Sequence, residues 1–455
     1  MAGDLVGVDA LGPDGPYRTH QRVIIADTRG EALLDMSVVP RLYVTRTIAA
    51  QRKAAPLPVA ERATALRRAA EIFVSATIGG LDFDHYVDLT CRVSGLPLTV
   101  ARAGADVVAT SLTTAFDSVR TALPAGTTMD WRDQDAGAVW ARRGEVLAVH
   151  APGNAPGVHG LWPQALALGF RVAVRPSRRE PLTAHRLVTA LRRAGFADTD
   201  ACYLPTGHTG ADAVVHAADL ALVYGGPDVA EHYEADPTVF VNGPGRSKIL
   251  ITAEQDWRDH LDVVVDSVAA LGGMACVNAT AVLYEGDAAP LARAIGERLA
   301  LLEPLPNTDP RAVLPTMPVK GACELAAHLA RKAAAATAIL GAEQVVADVG
   351  DGFAALRPAV HLLSVPDPRT LGVELPFPCV WVSPWSRGDG MTPLRDSLVL
   401  TAITSDGELI DRLVHDPTIV NVHRGSVPTH HAAPEIPHDG FLADFLMRNK
   451  GFVAG

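Results

Sequence analysis

Between Glu145 and Thr252 short apolar runs alternate with amphipathic stretches, and this alternation limits the fold more than any other feature of the chain. It predicts strands over Glu145–His150, Arg171–Arg175, Cys202–Leu204, Leu220–Tyr224, Val239–Val241 and Lys248–Thr252. Helices are expected between them over Val158–Leu168, Pro181–Ala194, Gly210–Ala217 and Asp228–Tyr233. Strands separated by helix-length segments do not pair as hairpins. They form βαβ crossovers, and so a parallel sheet with helices on its faces. Ligands of such sheets bind at the carboxyl ends of the strands. The turns at Asn154, Pro176 and Gly225 fall at those ends.

The flanking segments are read more coarsely. Ala63, Leu66, Ala69, Ala70 and Phe73 recur at helical spacing and predict a helix over Pro58–Val74, with another over Leu98–Leu123. Met129–Arg143 reads as a strand hairpin leaving the domain body. A second α/β segment starts near Ala253. Its expected elements are helix Leu261–Leu271, strand Ala279–Tyr284, helices Pro290–Leu302 and Ala322–Ile339, strand Val380–Ser383, helix Met391–Thr404 and strand Ile419–Val422. The tail from Pro428 is rich in His and Pro.

A chain of 455 residues exceeds what one hydrophobic core organises, so two or three domains are expected. Lys and Arg number 40 against 51 Asp and Glu, a net charge of −11, which argues against nucleic acid or an anionic membrane as the main partner. Residues 1–15 carry no basic and apolar leader pattern, and no apolar run is long enough to span a bilayer. The five cysteines are widely spaced, which fits reduced thiols and a cytoplasmic setting. No metal site is expected, and His430, His431 and His438 are read as a polar loop.

Cys276 follows Gly272-Gly273-Met274-Ala275 just after an expected helix. Its small neighbours leave the thiol approachable, and the adjacent amides could serve an oxyanion. On these local residues alone it is either a nucleophile or a small buried thiol. Asn154 is either an oxyanion donor or simply a turn former. Arg175, Ser177, Arg178 and Arg179 make either a phosphate site or a solvated basic turn. Gly225-Gly226 before a helix suits a pyrophosphate, although no GxGxxG follows any strand. Glu374, in Leu371-Gly372-Val373-Glu374-Leu375-Pro376-Phe377, either meets a ribose hydroxyl or is a rim charge.

The order and spacing of these pieces resemble the aldehyde dehydrogenase superfamily over most of the chain. The resemblance runs through Ala151-Pro152-Gly153-Asn154-Ala155-Pro156-Gly157, Val172-Ala173-Val174-Arg175-Pro176-Ser177, Tyr224-Gly225-Gly226, Gly245-Arg246-Ser247, Gly272-Gly273-Met274-Ala275-Cys276 and Glu374-Leu375-Pro376-Phe377. It implies an aldehyde-dehydrogenase-like α/β fold. A Rossmann-type parallel-sheet cofactor domain would span 1–128 and 145–252, and an α/β catalytic domain 253–427. A small β-hairpin oligomerisation arm would be built from 129–144 and 428–455.

It also implies Cys276 as nucleophile and Asn154 as oxyanion donor. Arg175 and Arg178 are implied at the adenosine ribose, Gly225 and Gly226 at the pyrophosphate, and Glu374 at the nicotinamide ribose, with Ser177 and Phe377 also expected among the cofactor-binding residues. Where hydrolytic members carry Glu-Leu-Gly-Gly-Lys, this chain has Asn242-Gly243-Pro244-Gly245-Arg246. Asn242 cannot accept a proton from water at neutral pH.

That departure, with a turn similar to the bioluminescence-type fatty-acyl (acyl-CoA) reductases, points to NADPH-dependent reduction of an acyl thioester on CoA or a carrier protein. Oxidation of an aldehyde to an acid is the alternative, and a non-catalytic binding protein of this fold the second alternative. Arg178 stands where NAD-preferring members carry an acid, so NADP(H) is the expected cofactor and NAD(H) the alternative. A homodimer or homotetramer is implied.

Overall fold

The structure is a computed structural model and describes residues 5–27 and 30–455. Two compact units are present: 1–94, 101–243 and 434–455 make the first, and 95–100 with 244–433 the second. The expected division at residue 252 therefore moves to 243, and the tail divides at 433 rather than 427.

In the first unit seven strands form one sheet: β1 (Ala10–Gly12), β2 (Gly15–Tyr17), β3 (Val146–His150), β4 (Arg171–Arg175), β5 (Ala201–Tyr203), β6 (Leu220–Tyr224) and β7 (Val239–Asn242). Their order is β7-β6-β3-β4-β5-β1-β2. The five strands from β7 to β5 are mutually parallel, and β1 and β2 add an antiparallel edge. β5 and most of β3, β4 and β6 are buried runs such as Val146-Leu147-Ala148-Val149. Central parallel strands are covered on both faces, which is why they read as continuous apolar stretches. Helix Val59–Ser75 turns Ala65, Leu66, Ala69, Ala70 and Phe73 inward, and helix Leu182–Ala194 does the same with Leu187, Val188 and Leu191. The N-terminal strands, including a separate three-stranded sheet of Val6–Val8, Ala32–Ser37 and Arg22–Ala26, have no counterpart in the sequence reading.

The second unit holds another seven-stranded sheet: β8 (Ser247–Ile251), β9 (Ala279–Tyr284), β10 (Thr337–Leu340), β11 (Ala359–Leu362), β12 (Cys379–Pro384), β13 (Ser397–Ile403) and β14 (Ile419–Arg424). Their order is β10-β11-β12-β9-β8-β13-β14, parallel except for β10. β8 was expected to close the first sheet. It instead sits near the middle of the second, between β9 and β13.

Four further expectations change. Residues 391–404 are not a helix: a single 3-10 turn, Thr392–Leu394, precedes β13, whose seven residues are all buried. A short apolar run carries no periodicity that separates a buried strand from a helix. The helix expected over 322–339 is Val319–Lys332, and the alanine-rich stretch after it passes through a turn into edge strand β10. The helix expected over 158–168 is a 3-10 turn, Pro156–Gly160, followed by a short helix, Pro163–Leu168. Finally, Met129–Arg143 is not a hairpin on itself. Strand Ala136–Arg142 pairs antiparallel with the C-terminal strand Met447–Val453, and on its other side with Thr127–Thr128.

Candidate functional site

In the first unit the expected residues gather along one end of the sheet. β3, β4 and β6 are adjacent and parallel, so the turns that leave their carboxyl ends are neighbours. Asn154 lies half-buried in the turn after β3. A methyl group on Gly153 would crowd Ser177 Oγ and Arg179 Cβ, so side chains of the turn after β4 pack directly against this one. Tyr224, the last residue of β6, donates from its hydroxyl to the Val158 carbonyl at 3.0 Å and ties the third turn to the first.

Arg175 ends β4 with its guanidinium beside the His150 ring, and burial together with nearby Arg178 lowers its pKa. Its Nε is buried without a hydrogen-bond partner among the described residues. Arg178 and Arg179 are exposed, and Ser177 is half-buried. An orphaned buried guanidinium donor, with a second guanidinium in the next turn, fits a phosphate-bearing group such as a nicotinamide dinucleotide.

The fit at Gly225-Gly226 is narrower. Gly225 N donates to the Asn242 carbonyl at 3.2 Å, and Pro227, which opens the following helix, has no amide proton. Asp228 adds a negative charge to that first turn. Gly226 alone is open, with no atom within 4 Å of an added methyl. Asn242 ends β7 and is buried.

Behind these turns lies a pair that sequence reasoning missed. His159 and Glu180 are buried at 0% and 1% exposure, with His159 Nε2 and Glu180 Oε2 4.0 Å apart. Trp162 Nε1 donates to His159 Nδ1 at 3.2 Å, and Thr183 N donates to Glu180 Oε1 at 2.9 Å. Burial pushes the Glu180 carboxyl up to about 7 and the His159 imidazole down to about 4. A lone His and a Glu in polar-looking turns gave no periodic signal by which to find them.

In the second unit Cys276 sits at the end of a loop shaped by three successive left-handed residues: Leu271 (φ 55°), Gly272 (φ 72°) and Gly273 (φ 67°). The glycine pair thus makes the sharp turn that the sequence suggested. The thiol is half-buried, and none of the five cysteines is in a disulfide. The loop is clamped on three sides. Asn278 Oδ1 accepts from Ala275 N at 2.8 Å, while its Nδ2 donates to the carbonyls of Ser267 and Ala270. The Ala275 amide, which the sequence left open to a substrate oxygen, is therefore engaged. Ser247 Oγ donates to the Cys276 carbonyl at 3.1 Å, and a methyl on Gly245 would overlap that same carbonyl. A methyl on Gly273 would overlap the backbone of Phe377 and Pro378.

Glu374 is half-buried, and burial raises its pKa. Its Oε1 accepts from Gly245 N at 3.1 Å and Arg246 N at 3.0 Å. Phe377 is 1% exposed, in a core cluster with Leu371, Leu375 and Trp381. Any ligand contact by its ring would require that packing to open. Lys248 is also buried and gives its protons to the carbonyls of Arg246 and Arg395 and to Ser397 Oγ. Burial brings its pKa down to about 8. Among the described residues no three His, Cys, Asp or Glu side chains assemble into a metal-type cluster.

A Rossmann-type parallel sheet carrying a phosphate-fitting turn, and a second α/β unit carrying a clamped cysteine loop, define a nicotinamide-type oxidoreductase architecture. The chain belongs to the aldehyde dehydrogenase family, which its sequence matches over residues 28–378, and so to the oxidoreductases that act on aldehydes with NAD(P).

Solved structures agree on the fold. The aldehyde dehydrogenase KauB from Pseudomonas aeruginosa superposes with TM-score 0.84 at 15% identity, covering 98% of this chain and 96% of that one. The AldA indole-3-acetaldehyde dehydrogenase of P. syringae, a Cys→Ala variant in complex with NAD+ and IAA, gives 0.83 at 16% identity, covering 97% and 95%. The gamma-glutamyl-gamma-aminobutyraldehyde dehydrogenase from Burkholderia cenocepacia gives 0.82 at 15% identity, covering 98% and 96%. No curated protein matches the sequence.

Proposed function

We propose that this enzyme oxidises an aldehyde with NADP+ through a thioester on Cys276. The observation that carries this reading is the clamped loop: three left-handed residues and contacts from Gly245, Ser247 and Asn278 fix a half-buried thiol in place. Family membership and the aldehyde-oxidising names of the structural neighbours favour the oxidative direction.

In this reading the Cys276 thiolate adds to the aldehyde carbon, and the carbonyl electron pair moves onto oxygen. Asn154 is the proposed side-chain donor to that oxyanion. Bound nicotinamide supplies the hydride acceptor. Collapse of the oxyanion leaves the acyl group on sulfur, and attack by water or a thiol releases it. Arg175, Ser177 and Arg178 would hold the adenosine phosphate, the Arg178 guanidinium favouring the 2′-phosphate of NADP, with Gly226 open to the pyrophosphate.

A second reading is favoured by Asn242, which has no proton-accepting group for hydrolytic water. It runs the chemistry from an acyl thioester, on CoA or a carrier protein, to the aldehyde with NADPH, as in the acyl-CoA reductase branch. Product analysis separates the two. Free acid formed from aldehyde and NADP+ without added thiol supports oxidation. NADPH consumption that requires an acyl thioester and releases aldehyde supports reduction. Cys276→Ala abolishes turnover in both, and a variant with an intact rate removes the thioester assignment altogether.

A further inference from the structure

We infer that Glu374 is a positioning residue for the Cys276 loop: its carboxylate latches the Gly245-Arg246 backbone, against which the Cys276 backbone rests. The inference builds on Cys276 as nucleophile, and gives Glu374 work to do before any nicotinamide binds.

The geometry is local to the second unit. Successive amides of Gly245 and Arg246 converge on the single oxygen Oε1 of Glu374, at 3.1 and 3.0 Å. Arg246 is a non-glycine residue in the left-handed region, at φ 48°. A turn of this kind turns successive amides toward one point, and an acceptor oxygen seated there satisfies both and offsets the unfavourable backbone. Here the acceptor is the chain's own Glu374 Oε1. Gly245 is held from its other side as well, since its carbonyl accepts from Leu398 N at 2.7 Å.

What the latch holds is the floor of the cysteine loop. Gly245 approaches the Cys276 carbonyl so closely that no side chain fits between them. One residue on from Arg246, Ser247 Oγ donates to that same carbonyl. The far end of the Glu374 segment closes the other side, because Gly273 packs against the backbone of Phe377 and Pro378. Residues 374–378 therefore grip the loop at both its start and its end. An arm that only waited for a ribose hydroxyl would have no need to hold the two amides of a segment that abuts the Cys276 carbonyl.

The test uses the full chain without nicotinamide, so that ribose binding plays no part. Iodoacetamide labelling is followed at each cysteine by peptide mass spectrometry, in the unaltered protein, Glu374→Ala and Glu374→Gln. Cys323 is exposed, and Cys91, Cys202 and Cys379 are buried. A constant rate at Cys323 and protection of the three buried thiols thus report an intact fold. In Glu374→Ala the released loop should label at Cys276 several-fold faster, and kcat should fall. Glu374→Gln keeps an amide oxygen that accepts both N–H groups, so labelling at Cys276 without nicotinamide should stay near that of the unaltered protein.

Unchanged Cys276 labelling in Glu374→Ala, with KM for the nicotinamide raised in both variants, would make Glu374 a ribose ligand and overturn the inference. Equal effects of Ala and Gln would also overturn it, since charge rather than the latch would be at work. If Glu374→Ala labels the buried cysteines, Glu374→Asp carries the test. Its shorter arm keeps the charge but withdraws from the amides, so the same faster labelling is expected, and an unchanged rate overturns the inference. Labelling is read without turnover, so failure of Cys276 as nucleophile would appear separately, as activity surviving in Cys276→Ala.

Discussion

At Gly245 a single methyl group would overlap the Cys276 carbonyl oxygen, and neither backbone has a flexible side chain with which to yield. Gly245→Ala is therefore expected to lose about 2 kcal/mol or more of stability and most activity, as overpacking against a backbone does; urea unfolding and turnover check it. Glu180 makes a prediction in pH. Burial raises its folded pKa to about 7, above its ordinary 4.5, so the folded state holds a proton that the unfolded chain releases. Its favourable contribution is then full below about 4.5 and is lost as pH rises through about 7. His159 works in the opposite sense: its contribution is present above 6.5 and lost as pH falls toward about 4. Glu180→Gln removes only the first effect and should stabilise the protein on the order of 1–3 kcal/mol in alkaline buffer, the gain fading toward the acid side. Thermal unfolding across that range reads it, and a gain that does not vary with pH contradicts it. Arg178→Glu should raise KM for NADP+ about tenfold or more and spare NAD+, by exchanging a cation for an anion at the proposed 2′-phosphate site. Initial-rate kinetics with both cofactors decide it.

At the scale of elements, strand Ala136–Arg142 depends on a partner three hundred residues away in sequence. All seven of its residues pair with Met447–Val453, whereas only Ala138 and Val139 pair with Thr127 and Thr128. Removing residues 447–455 should therefore strip hydrogen-exchange protection from Ala136–Arg142 and leave β3 to β6 protected, because those strands are buried within their own parallel sheet. β13 shows the opposite dependence. Every residue in Ser397–Ile403 is buried between β8 and β14, so its conformation is set by neighbours on both sides.

For the whole molecule, 40 basic against 51 acidic residues give a net charge of −11. Among the described residues no helix is long and apolar enough to cross a membrane. The three-stranded sheet of Thr127–Thr128, Ala136–Arg142 and Met447–Val453 ends in strand edges, and an edge with unpaired backbone groups is a ready surface for another chain. We propose that it joins copies of this chain into a dimer or tetramer. Light scattering after size exclusion should find such an assembly, and the deletion of 447–455 should lower its mass. An unaltered protein that runs as a monomer removes the proposal.

The sequence by itself determined the parallel-sheet class, because buried parallel strands read as short continuous apolar runs while the helices that cross between them carry the 3.6-residue spacing. It also determined which turns lie at strand ends, and the glycine pair that shapes the Cys276 loop, since glycine takes a left-handed backbone without the steric cost other residues bear. Tertiary structure alone decided which sheet receives a strand. Ser247–Ile251 and Ser397–Ile403 are apolar runs that would satisfy either sheet, and only their hydrogen-bonding neighbours chose. It alone paired Ala136–Arg142 with the C-terminus, for register across three hundred residues leaves no local mark. And it alone gave Glu374 its place on the amides of Gly245 and Arg246, because a carboxylate in a loop carries no sign of the backbone that folds against it.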